Sequence, residues 1–436
     1  MEGDRNEADK GYDGMLDALQ RETFQYFVHE TNPANGLVRD RTAEGSPASI
    51  TSVGLGLAAY AIGAERGFVS RSEAVERTLS TLRFLWESPQ SSDRDATGYK
   101  GFYYHFLDME TGRRAMASEL STIDTTFLLA GALAAAVYFD GDADAEGEIR
   151  ELADALYRRV DWPWALDGGR TVTHGWRPEH GFIPYRWDAY SEALLLYTLG
   201  LGSPTHPLPE ESYAAWTSGF EWKEVYGWEY VHAGPLFIHQ LSHVWIDLEG
   251  IQDDAMRDWG IDYFENSRRA SFVQQEHAVR NPGNFKEYGE HTWGITASTG
   301  PGDQTREVDG RERRFYGYLA RGVPDGPEDG TLSPWAVIAS LPFAPEIVLP
   351  TIRHYDEAYP EMRHAYGYRC SFNPTFPTEA TGRIGWVSSG YYGLNQGPIV
   401  LMIENYRTGL LWSLMKDCRY MTEGLRRAGF SGAWLS

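Results

Sequence analysis

Cysteine is nearly absent from this chain of 436 residues, which carries only Cys370 and Cys418. Two cysteines cannot build a disulfide framework, and neither belongs to a spacing that would hold zinc. Lysine is scarce as well, confined to Lys10, Lys100, Lys223, Lys286 and Lys416, while the net charge is −23. Nucleic acids and anionic membranes reward basic patches, so neither is an expected partner, and a strongly anionic polysaccharide is disfavoured on the same ground. Low lysine with excess acid fits a salt-adapted proteome; a GC-rich genome explains the arginine bias equally well. No phosphate-binding glycine loop, zinc signature or Gly-x-Ser-x-Gly elbow occurs. The start, Met1-Glu2-Gly3-Asp4-Arg5, lacks the basic and apolar regions of a signal peptide. The expectation is a cytoplasmic protein, or a secreted or periplasmic one if a leader has been removed. No apolar run is long enough to cross a membrane.

Apolar and aromatic residues are plentiful instead. Hydrophobic residues make up 42% of the chain, enough for a sizeable core. Aromatics reach 14%, with 15 Trp and 26 Tyr, which suits a carbohydrate cleft lined by flat rings as well as a core. The most telling stretch is Ser118-Glu119-Leu120-Ser121-Thr122-Ile123-Asp124, followed by an unbroken small-apolar run from Phe127 to Phe139. That run is too long for a strand, and its Ala and Leu content favours helix. A helix apolar all round is buried on most sides, so its polar entrance is where a cleft can open. Ser121 and Asp124 also fit a capping box, a role compatible with chemistry.

Along the chain this pattern recurs. Residues 1–12 are polar and read as a flexible terminus, followed by one domain over 13–436 without a linker. Helices are expected from near Met15, from Ser46-Pro47 to Ala64, over Ser70–Trp86, from Ser121, over Glu146–Val160, and from Asp188 to Leu201. Others are expected over Glu210–Phe220, Gly234–Leu248, Asp254–Val279, Pro334–Leu341, Pro345–Tyr359, Pro398–Lys416 and Asp417–Ala428. A mostly apolar helix, an amphipathic helix and a long aromatic loop alternate, with strand-like pieces confined to the loops. About six such pairs closing on themselves give an all-α (α/α)6 toroid or barrel, its aromatic loops gathered around one mouth.

Carboxylates at helix mouths are the candidate chemistry. Asp124 is one and Glu192 another; Asp188 reads as the N-cap of the helix that follows it. A buried Glu192 beside Tyr and Trp would have its proton affinity raised, as a general acid requires. Two carboxylates facing a cleft are the minimal machinery of glycoside hydrolysis. Glu287, in a loop with Glu290 and Trp293, is a reserve candidate. His239 and His243 stand four apart, on one face if helical, but without a partner Glu signature they suit core or substrate hydrogen bonding better than metal binding. The Phe264-Glu265-Asn266-Ser267-Arg268-Arg269 cluster reads as an ion-pair network or a reader of sugar hydroxyls, and Glu404 and Arg407 as a structural pair.

Several blocks together resemble a known family. They are Gly101-Phe102-Tyr103-Tyr104-His105-Phe106-Leu107-Asp108, Glu119 to Thr125, Tyr190-Ser191-Glu192-Ala193 through Pro207, Gly260 to Arg269, Trp293 to Ser298, and Asn395-Gln396-Gly397-Pro398 through Arg407. In order and nearly end to end, they resemble the glycoamylase-like domain of glycoside hydrolase family 144. The resemblance implies an (α/α)6 toroid that hydrolyses β-1,2-glucan, endo-acting or releasing sophorose, with inversion and without a cofactor or metal. The chain departs from the pattern at Asn395, where relatives often carry Asp. The expected site has Glu192 as acid and Asp124 as base or water positioner, with Asp188 and Glu287 in reserve. Tyr103, Trp187 and Trp293 are expected to stack on sugars, and Arg268, His239 and His243 to read hydroxyls, with Tyr391 also in the binding set. The expected partner is an oligo- or polysaccharide bound by a monomer. The alternatives are a hydrolase or transglycosylase on another β-glucan, or a non-catalytic glycan-binding protein.

Overall fold

The computed structural model describes residues 7–378 and 383–435. In chain order its helices are α1 (Glu7–His29), α2 (Ile50–Glu65), α3 (Arg71–Glu87), α4 (Thr122–Tyr138), α5 (Asp144–Arg158), α6 (Leu194–Leu201) and α7 (Glu210–Thr217). They continue as α8 (Asp254–Trp259), α9 (Tyr263–Arg280), α10 (Pro334–Ala339), α11 (Pro345–Ala358), α12 (Gly393–Arg407), α13 (Leu410–Asp417) and α14 (Arg419–Arg427). None is long and apolar enough to cross a membrane, among the described residues.

Two kinds of helix alternate. In α2 every residue from Ile50 to Gly63 is buried. All of α6 and α10 is buried, and so is nearly all of α12. Their flanking partners α3, α5, α9 and α11 bury only one face, as amphipathic sequences require. The buried helices touch one another in turn: α12 packs on α2, α2 on α4, α4 on α6, and α10 on α12. Behind them α1 backs α12 and α2, α3 backs α2, α5 backs α4, α14 backs α6, and α11 backs α10.

Where the alternation calls for one more buried helix, over the expected Gly234–Leu248, there are two 3-10 turns instead, Leu236–His239 and Ser242–Val244. The reason is competition for the carbonyls that a helix would use. Ala233 O accepts from the His239 ring, Gly234 O from the Gln274 amide, His243 O from Trp412 Nε1 and Val244 O from the Asn405 amide. Other expectations shift at their boundaries. Residues 7–12 are helical rather than loose, while residues 1–6 lie outside the described residues. Pro47 does not start α2, because Ala48–Ser49 is drawn into an antiparallel pair with Phe106–Leu107. The expected Asp254–Val279 helix breaks at Gly260, which adopts a left-handed φ of 72°.

α2 and α4 come together with no side chain between them. A Cβ on Gly131 would stand 1.9 Å from the Gly54 carbonyl oxygen, and one on Gly54 would stand 2.3 Å from Phe127 O. Sheets are small, and one of them sets the entrance of α4. Its five strands run in the order Gly98–Tyr99, Phe102–Tyr104, Leu120–Ser121, Gly175–Arg177 and Gly181–Phe182, all antiparallel. The third strand leads directly into α4, so the sheet fixes the direction in which that helix begins.

Gly131→Ala should therefore force backbone apart rather than displace a side chain. We expect a loss of about 3 kcal/mol in urea denaturation, the upper part of the overpacking range. Gly14→Ala in α1, with open space around its Cβ, is expected to gain roughly 0.5–1 kcal/mol from helix propensity. Equal effects of the two substitutions would contradict the close approach.

Candidate active site

The first turns of α2 and α4 lie side by side because their glycines do, and polar side chains collect there. From Thr122 to Ala135, Asp124 is the one residue of α4 that is not buried. Ser121 caps the helix as the sequence suggests, its Oγ accepting the Asp124 N–H at 3.1 Å. The other half of the expected capping box does not form. Instead of reaching back to the Ser121 backbone, the Asp124 carboxylate accepts the Ser121 hydroxyl on Oδ2 and the Thr51 hydroxyl on Oδ1, each at 2.5 Å. Ser121 lies inside the sheet, registered between Tyr103 and Gly175, so its backbone belongs to the strand. Helix capping thus falls to Ser121, and the Asp124 side chain is held by two hydroxyls at a helix N-terminus.

His105 stands between two carboxylates. Its Nδ1 lies 3.0 Å from Glu119 Oε1 and 3.6 Å from Asp124 Oδ2, while Arg177 approaches Glu119 at 3.7 Å. Burial alone would lower the imidazole pKa, but the charges of Asp124, Glu119 and Asp40 outweigh it and push it up to about 9. For Glu119, burial would raise the pKa, but the hydrogen bond and charge of His105, aided by Arg177, hold it at about 2. At neutral pH His105 is an imidazolium and Glu119 a carboxylate. Ligand atoms of His105, Glu119 and Asp124 lie within 4.8 Å of one another, close enough to share a metal ion. A metal there would have to displace the proton that His105 holds.

Glu192 lies in the turn just before α6, not inside a helix as expected. Ser242, from one of the 3-10 turns, donates to Glu192 O at 2.8 Å and accepts the Leu195 N–H at 3.3 Å. It does from outside what Asp188 was expected to do from within, and Asp188 is an exposed loop residue that caps nothing. Burial pushes the Glu192 carboxyl up to about 7, with the charge of Asp124 adding and the residue's own backbone N–H opposing. Glu192 and Asp124 are therefore within electrostatic reach.

Among the other expected residues, Trp187 is at this mouth. Its Nε1 donates to Thr122 Oγ1 at 3.1 Å and its ring stacks on His174 at 3.9 Å. Tyr103 and Trp293 are corrections. Both are fully buried, with Tyr103 OH donating to Leu85 O and Trp293 Nε1 to Thr351 Oγ1, so neither ring has a face free to stack on a sugar. His239 and His243 are buried too; burial lowers both to about 3, so they are neutral core groups, bound to Ala233 O and to Ser267 Oγ. Arg268 pairs with Glu346 at 2.6 Å and covers the Phe272 ring, and Tyr391 packs edge-on against Tyr366. Glu287 is bound by Tyr359 OH at 3.1 Å and by Arg383 at 2.7 Å, a separate ion pair.

Asp40 belongs to the site and escaped the sequence reading. Burial pushes its carboxyl up to about 6, with His105 and Arg41 opposing and Asp124 adding. Its backbone is fixed from both sides: Asp40 N donates to Pro47 O and Asp40 O accepts the Gly393 N–H at the start of α12. Among the described residues its carboxylate accepts no hydrogen bond. The signal was the Arg39-Asp40-Arg41 triplet, held in a turn ahead of the apolar α2.

Residues 184–419 match the family model Glycoamylase, described as "Putative glucoamylase". A crystal structure from Bacteroides uniformis ATCC 8492, described in the same words, is 31% identical with a TM-score of 0.85, covering 100% of both chains. An endo-β-1,2-glucanase from Chitinophaga pinensis, solved with sophorotriose and glucose, is 27% identical with a TM-score of 0.82, covering 97% of this chain and 99% of that one. The exo β-1,2-glucooligosaccharide sophorohydrolase of Parabacteroides distasonis is 28% identical over 449 residues, covering 95% of this chain. The chain spans 57% of that curated relative's length.

The His105 cluster makes a stability prediction. A group whose pKa is raised by folding, here from 6.5 to about 9, contributes stability that is complete below pH 6.5 and lost as pH rises through 9. The urea midpoint of the wild type should therefore fall between those pH values more steeply than that of His105→Gln. Parallel pH dependences would show that His105 gains no proton affinity on folding.

Proposed function

The chain belongs to the glycoamylase-like family related to β-1,2-glucanases, and we propose that it hydrolyses β-1,2-glucan or sophoro-oligosaccharides. The observation that carries this reading is the pair Glu192 and Asp124, one carboxyl pushed up to about 7 and the other held by two hydroxyls and faced by an imidazolium. Glycoside hydrolysis needs one carboxylic acid and one carboxylate. The β-1,2 linkage rests on the sophorohydrolase and the endo-glucanase that the chain resembles. The alternation of buried and half-buried helices supports an (α/α)6 toroid with this site at its mouth, one pair having its inner member reduced to 3-10 turns.

Glu192 is our general acid. Its proton passes to the glycosidic oxygen as the bond to the anomeric carbon breaks, and the leaving sugar departs as an alcohol. The Asp124 carboxylate, held by the Ser121 and Thr51 hydroxyls, steadies the positive charge that develops on the sugar ring. Asp40 is the better base, because among the described residues its carboxylate accepts no hydrogen bond and its pKa of about 6 lies near a working pH. It takes a proton from the water that attacks the anomeric carbon, with inversion. No step requires a cofactor.

A second reading is a glycan-binding protein without turnover, favoured by one observation. Asn395 at the start of α12, where relatives often have Asp, is buried and donates its amide to Cys370 Sγ at 3.4 Å. An amide there cannot serve as a base.

The first of three predictions separates these two readings. The protein incubated with β-1,2-glucan is expected to release shorter β-1,2-linked products, seen by chromatography; binding without products would favour the second reading. Glu192→Gln should lower kcat by about 10²–10⁴, as loss of a general acid does. The wild-type pH profile should fall above about pH 7 as Glu192 loses its proton. An active Glu192→Gln enzyme would remove Glu192 from the acid role.

A further inference from the structure

A wholly buried ion pair calls for an explanation. Arg321 and Asp329 are both wholly buried, joined by two hydrogen bonds of 2.7 and 2.8 Å. The remaining donors of the guanidinium are spent on one loop and its neighbour: Nη1 donates to Ser298 O at 2.7 Å, and Nη2 to Tyr316 O and Gly317 O, each at 3.2 Å. Asp329 in turn accepts the Tyr316 N–H at 3.0 Å. Gly300 closes the clamp, since a Cβ there would meet Arg321 Nη2 at 2.3 Å. Everything in this arrangement immobilises the backbone on either side of residue 318, and Leu319–Ala320 is further paired with Ala297–Ser298.

Tyr318 is what that rigid segment presents. It is 65% exposed, among the most exposed aromatic side chains of the described residues. The strand that its segment pairs with leads to the site: Thr299, next to Ser298, shares a hydrogen bond of 2.7 Å with the Tyr392 hydroxyl, which accepts from Arg41 Nη1 at 3.4 Å, beside Asp40. Burial, with the charges of Cys370, Asp40, Tyr392 and Asp124 adding, pushes the Tyr318 hydroxyl well above the usual tyrosine value. Two of those charges, Asp40 and Asp124, belong to the site.

We propose that Tyr318 is a sugar-stacking platform, held rigid by the buried Arg321–Asp329 clamp, that seats one glucose ring of a β-glucan beside Asp40 and Asp124. This rests on the reading of the site as a glucanase. A β-linked glucopyranose carries its hydroxyls equatorially, so both faces of the ring are apolar C–H surfaces that fit a flat aromatic. A platform already fixed in place loses little conformational freedom on binding, which is the energetic use of a clamp on an exposed loop. The hydroxyl, near two carboxylates, can at the same time hydrogen-bond a sugar oxygen at the ring edge.

The test is calorimetric titration in the Glu192→Gln background, which prevents turnover, with β-1,2-, β-1,3- and β-1,4-linked gluco-oligosaccharides. Tyr318→Ala is expected to raise Kd at least tenfold for the glucan that binds, while Tyr318→Phe, which keeps the ring, changes it less than threefold. The proposal is overturned if Tyr318→Ala binds as tightly as its parent, if Tyr318→Phe loses as much as Tyr318→Ala, or if the parent binds none of the three. The two readings fail separately. A β-1,3- or β-1,4-glucan that binds through Tyr318 supports the platform and removes the β-1,2 substrate. Wild-type hydrolysis of β-1,2-glucan that survives intact in Tyr318→Ala supports the substrate and removes the platform.

Discussion

The contact on which the site depends is made by atoms that carry no charge. Gly54 and Gly131 let the backbones of α2 and α4 meet directly, at separations that any side chain would prevent. Two helices this close bring their N-terminal turns into register, and only then can Thr51 on one reach Asp124 on the other. The burial of both helices along almost their whole length follows from the same approach, since an apolar surface with no room for water must find protein on every side. The polar mouth is thus a consequence of how tightly the apolar body is packed.

Charge at that mouth is sorted rather than merely gathered. Asp40, Glu119, Asp124 and Glu192 would repel one another if all were ionised in a desolvated cleft. His105 holds a proton between two of them, Arg177 approaches a third oxygen, and hydroxyls of Ser121 and Thr51 solvate Asp124. Glu192 has no such support, and burial leaves its carboxyl holding a proton to about pH 7. Carboxylates driven apart in this way can divide acid and base roles. With an overall charge of −23, the imidazolium of His105 among these carboxylates is the more consequential.

How much of this was legible in the sequence depended on whether a feature was local. The apolar helices were, because an unbroken run such as Phe127 to Phe139 states its own burial, and Asp124 and Glu192 were found because each stands directly before one. The 3-10 turns over Leu236–Val244 were not, since their carbonyls are claimed by Gln274, Asn405 and Trp412 from distant segments. Asp40 was missed because its neighbours in the site come from other elements. Tyr103 and Trp293 were over-read for the converse reason: an aromatic residue next to a motif has the same letters whether its ring faces the cleft or the core. The left-handed break at Gly260 and the strand that displaces Pro47 from the start of α2 are tertiary outcomes of the same kind.

Asp124 shows how a structural and a chemical role can be separated at one position. In a closed capping box its carboxylate would be turned back onto the strand, satisfied by a backbone N–H and useless to a ligand. Here Ser121 serves twice, accepting the Asp124 N–H and donating to its carboxylate. The helix is capped without using the carboxylate's reach, and the carboxylate remains at the cleft, partly exposed and oriented by a second helix through Thr51. The same division appears at α6, where Ser242 caps the helix from a neighbouring segment and leaves Glu192 free of that duty. In both cases a serine takes over the backbone's needs. An acidic side chain at a helix mouth can be spared for chemistry only when something else satisfies the helix.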